Sequence, residues 1–548
     1  MVLKKDPLGK YQFRIQDGTN LPSLVPAMAS PSISLVLNAV HLDRSADQPL
    51  YRQLYSGIRH AILSYQLLPG TRLPASRSLA DALDVSRNTV MEAFNQLSAE
   101  GYLETRIGAG TFVTDELPDQ LLRVRGDDRL DGTGSSVRTA PEEPPLSERG
   151  ELLTGMELSA FRDDERPGAF RPGIPALDAF PIETWSRLTA RRWRSVPTSL
   201  LSYSHSAGYP PLREAIAQYL QTSRGVRCDP SQVIIVSGTQ QAITLTAHVL
   251  LDPEDEVWIE DPGYPRARGA FRWAGAHTVP VPLDAEGLDL GAGRALDEAA
   301  RLAYVTPSHQ YPMGMTMSLR RRLELLDWAK QSDTWILEDD YDSEYRYEGR
   351  PLAALQGLDQ AGRTIYVGTF SKVLFPALRL GYVVVPNRLV DAFVAARTLV
   401  DRCPPLIQQM VVADFISEGH FEQHLRRMRT LYAARQNALV EAVDDTLGSS
   451  LRISSDKAGL HLTGLLEPGL DDTSVSQVLK ENGVVAPPLS FYSARDLDRG
   501  GLVLGYAGVD EDTIQEGVDQ IAEAMATVRN RSHTSDRRQR AGMVSSAA

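Results

Sequence analysis

Residues 364–379 read TIYVGTFSKVLFPALR: an apolar, β-branched run that ends in Thr369, Ser371 and Lys372 and is followed seven residues later by Arg379. The apolar start has the length and composition of a buried strand. A lysine directly after a strand is placed to form a Schiff base with an aldehyde, and two hydroxyls plus an arginine suit a phosphate. A lone Ser-Lys is also a common surface pair, so the neighbouring segments decide. Upstream, Trp335-Ile-Leu-Glu-Asp339-Asp340-Tyr341 is a second buried strand candidate ending in carboxylates and a phenol. A buried carboxylate there can keep a pyridine nitrogen protonated; acids capping the next helix are the ordinary alternative.

Further outward, VIIVSG (233–238), EVWIED (256–261) and LAYVTP (302–307) are strand candidates separated by helical stretches such as QQAITLTAHVLL and RRRLELLDWAKQ. This alternation from about Gly168 to Thr527 predicts an α/β domain with a mostly parallel sheet. Ser237, Gly238, Thr239, Gln240 and Gln241 stand between a strand and a helix, where backbone N–H groups and hydroxyls cradle phosphates. Tyr264, in Asp261-Pro-Gly-Tyr264-Pro, follows the next strand and is placed to stack on a flat ring, although ordinary turn chemistry accounts for the Pro-Gly equally well.

The N-terminal part has another pattern. Leu50, Leu54, Ile58, Ile62 and Leu63 mark a first helix, and two short helices follow from Ser76 and Asn88, parted by a tight turn at 84–86. Two β-type runs around Gly108-Ala-Gly110 then form a hairpin, giving a winged helix-turn-helix over 48–115. Ser86 is the expected helix cap, with Arg87, Asn88 and Thr89 on the first turn of the recognition helix, where base edges are read. Arg72, Arg77 and Arg106 add candidate phosphate contacts, and Gly108 and Gly110 shape the wing. Arginines and acids balance six to six over this stretch, so charge alone does not distinguish DNA binding from a packing module.

Residues 1–47 have no assignment beyond an apolar patch, SISLVLNAVHL, read as a strand or a docking arm. Residues 116–167 have the composition of a flexible linker: no aromatic side chain occurs between Val113 and Ala160, and Pro, Gly, Ser, Asp, Glu and Arg dominate. Residues 528–548 read as a disordered tail. Of 548 residues 42% are hydrophobic, which excludes wholesale disorder. The formal charge of −13 is a weak signature for nucleic-acid binding by the chain as a whole. The two cysteines, Cys228 and Cys403, stand apart with no Cys/His cluster, so neither a disulfide framework nor a metal site is expected. No signal-peptide core or membrane-length apolar run occurs, and the expected setting is cytoplasmic.

PLYRQLYSGIRHAIL, LPGTRLPASRSLADALDVSRNTV and LSAEGYLETRIGAGTFV, in this order over about 65 residues, resemble the winged helix of GntR-type bacterial regulators. The four features of the large domain together resemble fold-type I aminotransferases that use pyridoxal 5'-phosphate. The resemblance implies that Lys372 forms the Schiff base with this cofactor, Asp339 pairs its ring nitrogen, Tyr341 contacts its ring hydroxyl and Tyr264 stacks on the ring. It likewise implies that Gly238, Thr239, Gln240, Thr369, Ser371 and Arg379 hold the phosphate, joined by Tyr203 from a partner subunit. A winged helix joined by a linker to such a domain is similar to the MocR/GabR family, as are TPSHQYPMG and EDDYDSEYRYEGRPLAALQGLD. That family implies a head-to-tail homodimer, double-stranded operator DNA and a small amino-compound effector.

Two departures bear on activity. Tyr311 stands where free aminotransferases carry the asparagine of Asn-Pro-Thr-Gly, and Val503 stands where they carry an arginine for the substrate carboxylate, with Arg266, Arg495 and Arg499 as candidate substitutes. Loss of a bidentate clamp favours a sensor over the alternative, an active aminotransferase carrying a DNA-binding module. An ω-amino acid, a polar osmolyte derivative, a D-amino acid and the cofactor itself are all compatible effectors.

Overall fold

The computed structural model describes residues 2–5, 11–14, 36, 40, 42–46, 48–106, 108–115, 117, 146–155, 168–348, 352–402, 405–453 and 458–546. It divides into two compact units, Met1–Glu142 and Glu143–Ala548. The first begins with a two-stranded antiparallel pair, β1 (Val2–Lys5) and β2 (Tyr11–Arg14). Helices α1 (Leu50–Leu63), α2 (Ser76–Leu83) and α3 (Arg87–Ala99) follow, then the hairpin β3 (Leu103–Arg106) and β4 (Gly110–Val113). Apolar residues at helical spacing, Leu54, Ile58, Ile62, Leu79, Val90, Phe94 and Leu97, bury together. Val36 and Val40 of the N-terminal patch pack into this core.

The turn between α2 and α3 is set by local chemistry. Asp84 closes α2 in a left-handed conformation, φ 51°, and Ser86 caps α3 by accepting from the Thr89 amide at 3.1 Å, as expected. Ser86→Ala should cost about 1 kcal/mol, read as roughly five-fold faster amide hydrogen exchange across α3. Unchanged exchange would show that tertiary packing alone holds the helix end.

The second unit corrects the linker expectation in part. Most of 116–167 lies outside the described residues, but Glu148–Gly155 forms a helix, α4. Ser147 accepts from the Gly150 amide, and Glu148 and Glu151 sit in the first turn where the helix dipole favours acids. The core of the unit is an eight-stranded sheet in the order β5-β12-β11-β10-β9-β6-β7-β8. Its strands are β5 (Val233–Val236), β6 (Glu256–Asp261), β7 (His277–Asp284), β8 (Gly287–Leu288), β9 (Leu302–Val305), β10 (Trp335–Asp340), β11 (Thr364–Thr369) and β12 (Gly381–Val384). Strands β11, β10, β9, β6 and β7 are parallel; β12 is antiparallel to both neighbours and β8 to β7.

Burial on both faces explains why these strands are continuous apolar runs. Helices α5 (Ile182–Ser195), α6 (Pro210–Ser223), α7 (Thr239–Leu250), α8 (Pro265–Ala274), α9 (Leu290–Leu296) and α10 (Leu319–Gln331) belong to this unit. On one face Ile234 and Val236 pack with α7 and α8; on the other Ile235, Tyr366 and Tyr382 join a larger core. Trp258 of β6 stacks on Trp328 of α10 with ring centroids 3.9 Å apart. Beyond a short helix α11 (Leu355–Leu358) come α12 (Val390–Val400), α13 (Leu406–Ser417) and the long α14 (His420–Thr446). A three-stranded antiparallel sheet of β13 (Leu451–Ile453), β14 (His461–Leu466) and β15 (Gly501–Gly505), with α15 (Asp472–Glu481) before β15, follows.

The last helix, α16, runs from Glu511 to Ser546, which corrects the expected disordered tail from 528. Asp510 accepts from the Thr513 amide, and Ile514, Val518, Ile521, Met525 and Val528 bury at steps of three and four residues. Beyond Val528 the chain has no proline and a single glycine, Gly542, before Ser546, so nothing breaks the helix.

Candidate functional site

The parallel strands deliver the expected residues to one end of the sheet, where open α/β sheets bind ligands. Asp339 lies at the end of β10, Thr369 ends β11, and the 237–241 segment joins β5 to α7. Alternation along β10 sends consecutive side chains to opposite faces. Asp340 accepts from Arg224 Nε at 2.9 Å and from the Tyr366 hydroxyl at 2.7 Å, while Glu338 accepts the Leu355 and Gln356 amides, each at 2.8 Å. These two acids brace the scaffold, and Glu338 does cap a helix. Asp339, between them, takes the hydroxyl of Tyr304 at 2.7 Å.

Asp339 is 4% exposed, and its Oδ1 has no hydrogen-bond partner among the described residues. Burial, with Asp340 and Asp342 adding repulsion, pushes its carboxyl up to about 7 against the pull of Tyr304 and Lys372. Lys372 donates to the Gly173 carbonyl at 2.7 Å, and burial, reinforced by the charges of Arg266 and Arg171, lowers its ammonium to about 8. Gly173 has φ 76°, and a Cβ there would stand 2.6 Å from Lys372 Nζ, so only glycine fits beside the amine.

The phosphate candidates converge in part. Gly238 is the N-cap of α7, Thr239 and Gln240 open the helix, and Arg379 Nη1 lies 3.9 Å from where a Gly238 Cβ would be. The Thr369 hydroxyl accepts from the Ser371 amide at 3.1 Å. Gln240 Oε1 is buried without a hydrogen-bond partner among the described residues, while its Nε2 holds the Arg266 carbonyl at 3.2 Å. Tyr203 is not drawn into this cluster: it is 79% exposed, with the Arg402 guanidinium 3.9 Å over its ring.

Around the acid and the amine stands an aromatic wall. Tyr311 meets Tyr264, Tyr341 and Tyr492 edge-on at 5.7, 5.7 and 5.4 Å, and its hydroxyl bonds that of Tyr492 at 3.3 Å. Burial raises the phenols of Tyr264, Tyr311 and Tyr341 above their ordinary value, so they are hydroxyl donors at neutral pH. Tyr341 also lies 3.0 Å from His309 Nδ1, which is 3.0 Å from Asp342. His309, Asp342 and His461 bring metal-capable atoms within 4.8 Å of one another, yet they already bond inside the protein, His461 Nε2 to the Pro312 carbonyl at 3.0 Å.

Tyr304, Gly173, His309, Asp342, His461 and Tyr492 were missed as site residues by sequence reasoning. Two phrases carried a signal for them: TPSHQYPMG, singled out for Tyr311, contains His309, and EDDYDSEYRYEGRPLAALQGLD contains Asp342. Of the arginines offered in place of the one absent at Val503, Arg495 holds Asp261 at 2.9 Å and Arg499 bonds the Leu466 carbonyl. Arg266 is the one whose charge reaches Lys372, Tyr264 and Tyr311.

In the first unit Arg77 lies on α2 and Ser86, Arg87 and Asn88 at the start of α3, all exposed, and Arg87 reaches the Ser76 hydroxyl at 3.4 Å, linking the two helices. The Thr89 hydroxyl lies 2.8 Å from that of Ser86, so it doubles the cap. The Arg72 guanidinium lies against the wing, its Nε 3.0 Å from a Cβ built on Gly110. Gly108 and Gly110 have φ of 74° and 115°, the left-handed backbone that a tight hairpin needs. Arg106 pairs with Glu104 and stacks 4.8 Å over Phe112, so part of its charge is engaged within the wing.

The described helices include none long and apolar enough to cross a membrane. The family of aminotransferases class I and II matches residues 178–521, and the gntR family of bacterial regulatory proteins matches 50–113. The chain is 43% identical over 486 residues to the probable rhizopine catabolism regulatory protein MocR of Rhizobium meliloti, covering 88% of this chain and 95% of that one. It is 31% identical over 474 residues to the pyridoxine biosynthesis transcriptional regulator PdxR of Corynebacterium glutamicum, 86% and 95% of the two chains. Among solved structures, the α-aminoadipate aminotransferase LysN of Thermus thermophilus, complexed with N-(5'-phosphopyridoxyl)-L-leucine, superposes with a TM-score of 0.64 at 31% identity, covering 70% of this chain and 98% of that one. With a GntR winged helix, an aminotransferase-fold second unit and near full-length likeness to such regulators, the chain belongs to the MocR kind of DNA-binding transcriptional regulators.

Proposed function

We propose that this regulator holds pyridoxal 5'-phosphate at Lys372 and reads an amino compound there, translating occupancy into affinity for double-stranded operator DNA. The observation that carries the reading is Asp339 Oδ1, a buried carboxylate oxygen without a partner among the described residues, close to a lysine of lowered basicity. A protonated ring nitrogen supplies the missing donor, and Asp339 keeps that proton in place. When bound, the cofactor supplies an aldehyde for amines and an electron sink.

The chain's own residues do the rest. Lys372, buried and of lowered basicity, would hold the cofactor through its aldehyde, where an effector's amino group would compete with it. Gly238, Thr239, Gln240, Thr369, Ser371 and Arg379 hold the phosphate at the start of α7, with Tyr203 supplied across a head-to-tail homodimer, consistent with its exposure. Tyr264 stacks on the ring, Tyr341 donates to its hydroxyl oxygen, and Arg266 attracts an anionic group on the effector. Arg72, Arg77, Ser86, Arg87, Asn88, Thr89 and Arg106, with the Gly108–Gly110 wing, meet the operator in the cytoplasm. Tyr311 and Val503, at the positions of the enzyme's asparagine and arginine, favour recognition over turnover.

The test is a footprint on DNA upstream of the protein's own gene, with and without pyridoxal 5'-phosphate at fixed salt. A specific footprint that changes with cofactor or amine is expected. Absence of one, alongside steady keto-acid-dependent turnover, would establish the enzyme instead.

A further inference from the structure

Behind Tyr341 lies a buried pair that a role in packing alone does not explain. His309 and Asp342 each have side chains 1% exposed, and His309 Nδ1 stands 3.0 Å from both Asp342 Oδ2 and the Tyr341 hydroxyl. A single ring nitrogen carries at most one hydrogen. The carboxylate has none to give, so the Nδ1 hydrogen belongs to that contact. Toward the same N–H the phenol oxygen is an acceptor, and its own hydrogen points elsewhere.

The imidazole has no freedom to rearrange. A Cβ built on Gly459 would lie 2.0 Å from His309 Cε1 and 2.5 Å from Nδ1, so the ring rests directly on that backbone. Gly459 is itself fixed, its N–H on the Tyr345 carbonyl at 2.7 Å and its carbonyl on the Tyr506 hydroxyl at 2.7 Å. The titratable groups around the pair and Tyr341 include His461, Tyr311, Asp339, Glu260, Lys372, Glu344, Tyr347 and Tyr506. Burial keeps His461 neutral, lowered to about 3, so it brings no competing charge.

We propose that His309, oriented by Asp342, is a positioning residue that forces the Tyr341 phenol to spend its hydrogen on the ring oxygen of the cofactor. The proposal rests on the cofactor reading above. A donor to that oxygen favours its deprotonated form, so losing the donor raises the pH at which the visible absorbance of the Lys372-bound cofactor titrates.

The experiment loads the full-length protein with pyridoxal 5'-phosphate and titrates that band from pH 5 to 10. Tyr341→Phe and His309→Phe should each raise the midpoint by about one unit, and the double variant should move no further than Tyr341→Phe alone. His309→Asn, whose amide N–H replaces that of Nδ1, should stay near the wild-type midpoint, a rescue that a packing role does not predict. Should His309→Phe fail to fold, Asp342→Asn takes its place. Its amide donates to Nδ1, that nitrogen loses its hydrogen, Tyr341 turns toward it, and the midpoint again rises. A wild-type midpoint in His309→Phe or Asp342→Asn, or shifts that add in the double variant, overturns the proposal while leaving the cofactor reading intact. A wild-type protein that develops no visible band overturns both.

Discussion

Lys372→Ala is expected to abolish the visible band of the cofactor-loaded protein and, with it, the effector's influence on operator affinity. Coupling between two sites of one protein is typically worth about 1–3 kcal/mol, so the wild-type ratio of operator affinities with and without effector should lie between about 5 and 150. In the variant that ratio falls to one, because no other described amine combines position beside Gly173 with a basicity lowered to about 8. Gel shifts at several effector concentrations measure it. A Lys372→Ala protein that still answers its effector would place sensing outside this cleft.

Asp339→Asn should act in opposite directions on binding and on stability. In the cofactor-free protein Asp339 titrates near 7, above the usual 3.8, so the folded state binds this proton more tightly than the unfolded chain. The stability that this contributes is complete below about pH 4 and is lost as pH rises through 7. Lys372 runs the other way: lowered to about 8 from 10.5, its contribution is complete above 10.5 and lost as pH falls through 8. Asparagine keeps the Tyr304 contact and removes the first loss. The cofactor-free variant should therefore be more stable than wild type at pH 8, by something on the order of 1–4 kcal/mol. Cofactor affinity should meanwhile fall by about 100-fold or more, since the neutral amide no longer favours a protonated ring nitrogen. Thermal unfolding of the cofactor-free protein and cofactor titration check the two halves. Wild-type cofactor affinity in the variant would remove Asp339 from the role given to it.

The scaffold was easier to read than the contacts made on it. VIIVSG, EVWIED, LAYVTP, TWILEDD and TIYVGT announced β5, β6, β9, β10 and β11 because strands buried on both faces are unbroken apolar runs. Strand β7 escaped because Pro280 and Pro282 interrupt its pattern, tolerable one place from the sheet edge. Strand β12, four residues and antiparallel, has no helical crossover to mark it. Lys372 and Asp339 could be found because each follows or ends a strand. The partner of Lys372, Gly173, is 199 residues away, and His461 reaches the site from the C-terminal sheet, so no local spacing could connect them. The helix through 529–546 is hidden for another reason: a polar composition reads as disorder, although residues such as arginine and glutamine favour helix once a packed segment has nucleated it.

Strand β10 divides its labour between its two faces. Glu338 accepts the Leu355 and Gln356 amides and Asp340 Oδ2 accepts from Arg224 and Tyr366, while Asp339 faces the cleft with only Tyr304 on its Oδ2. The braces of the strand are all internal to the protein, so Asp339 can be substituted without touching any of them.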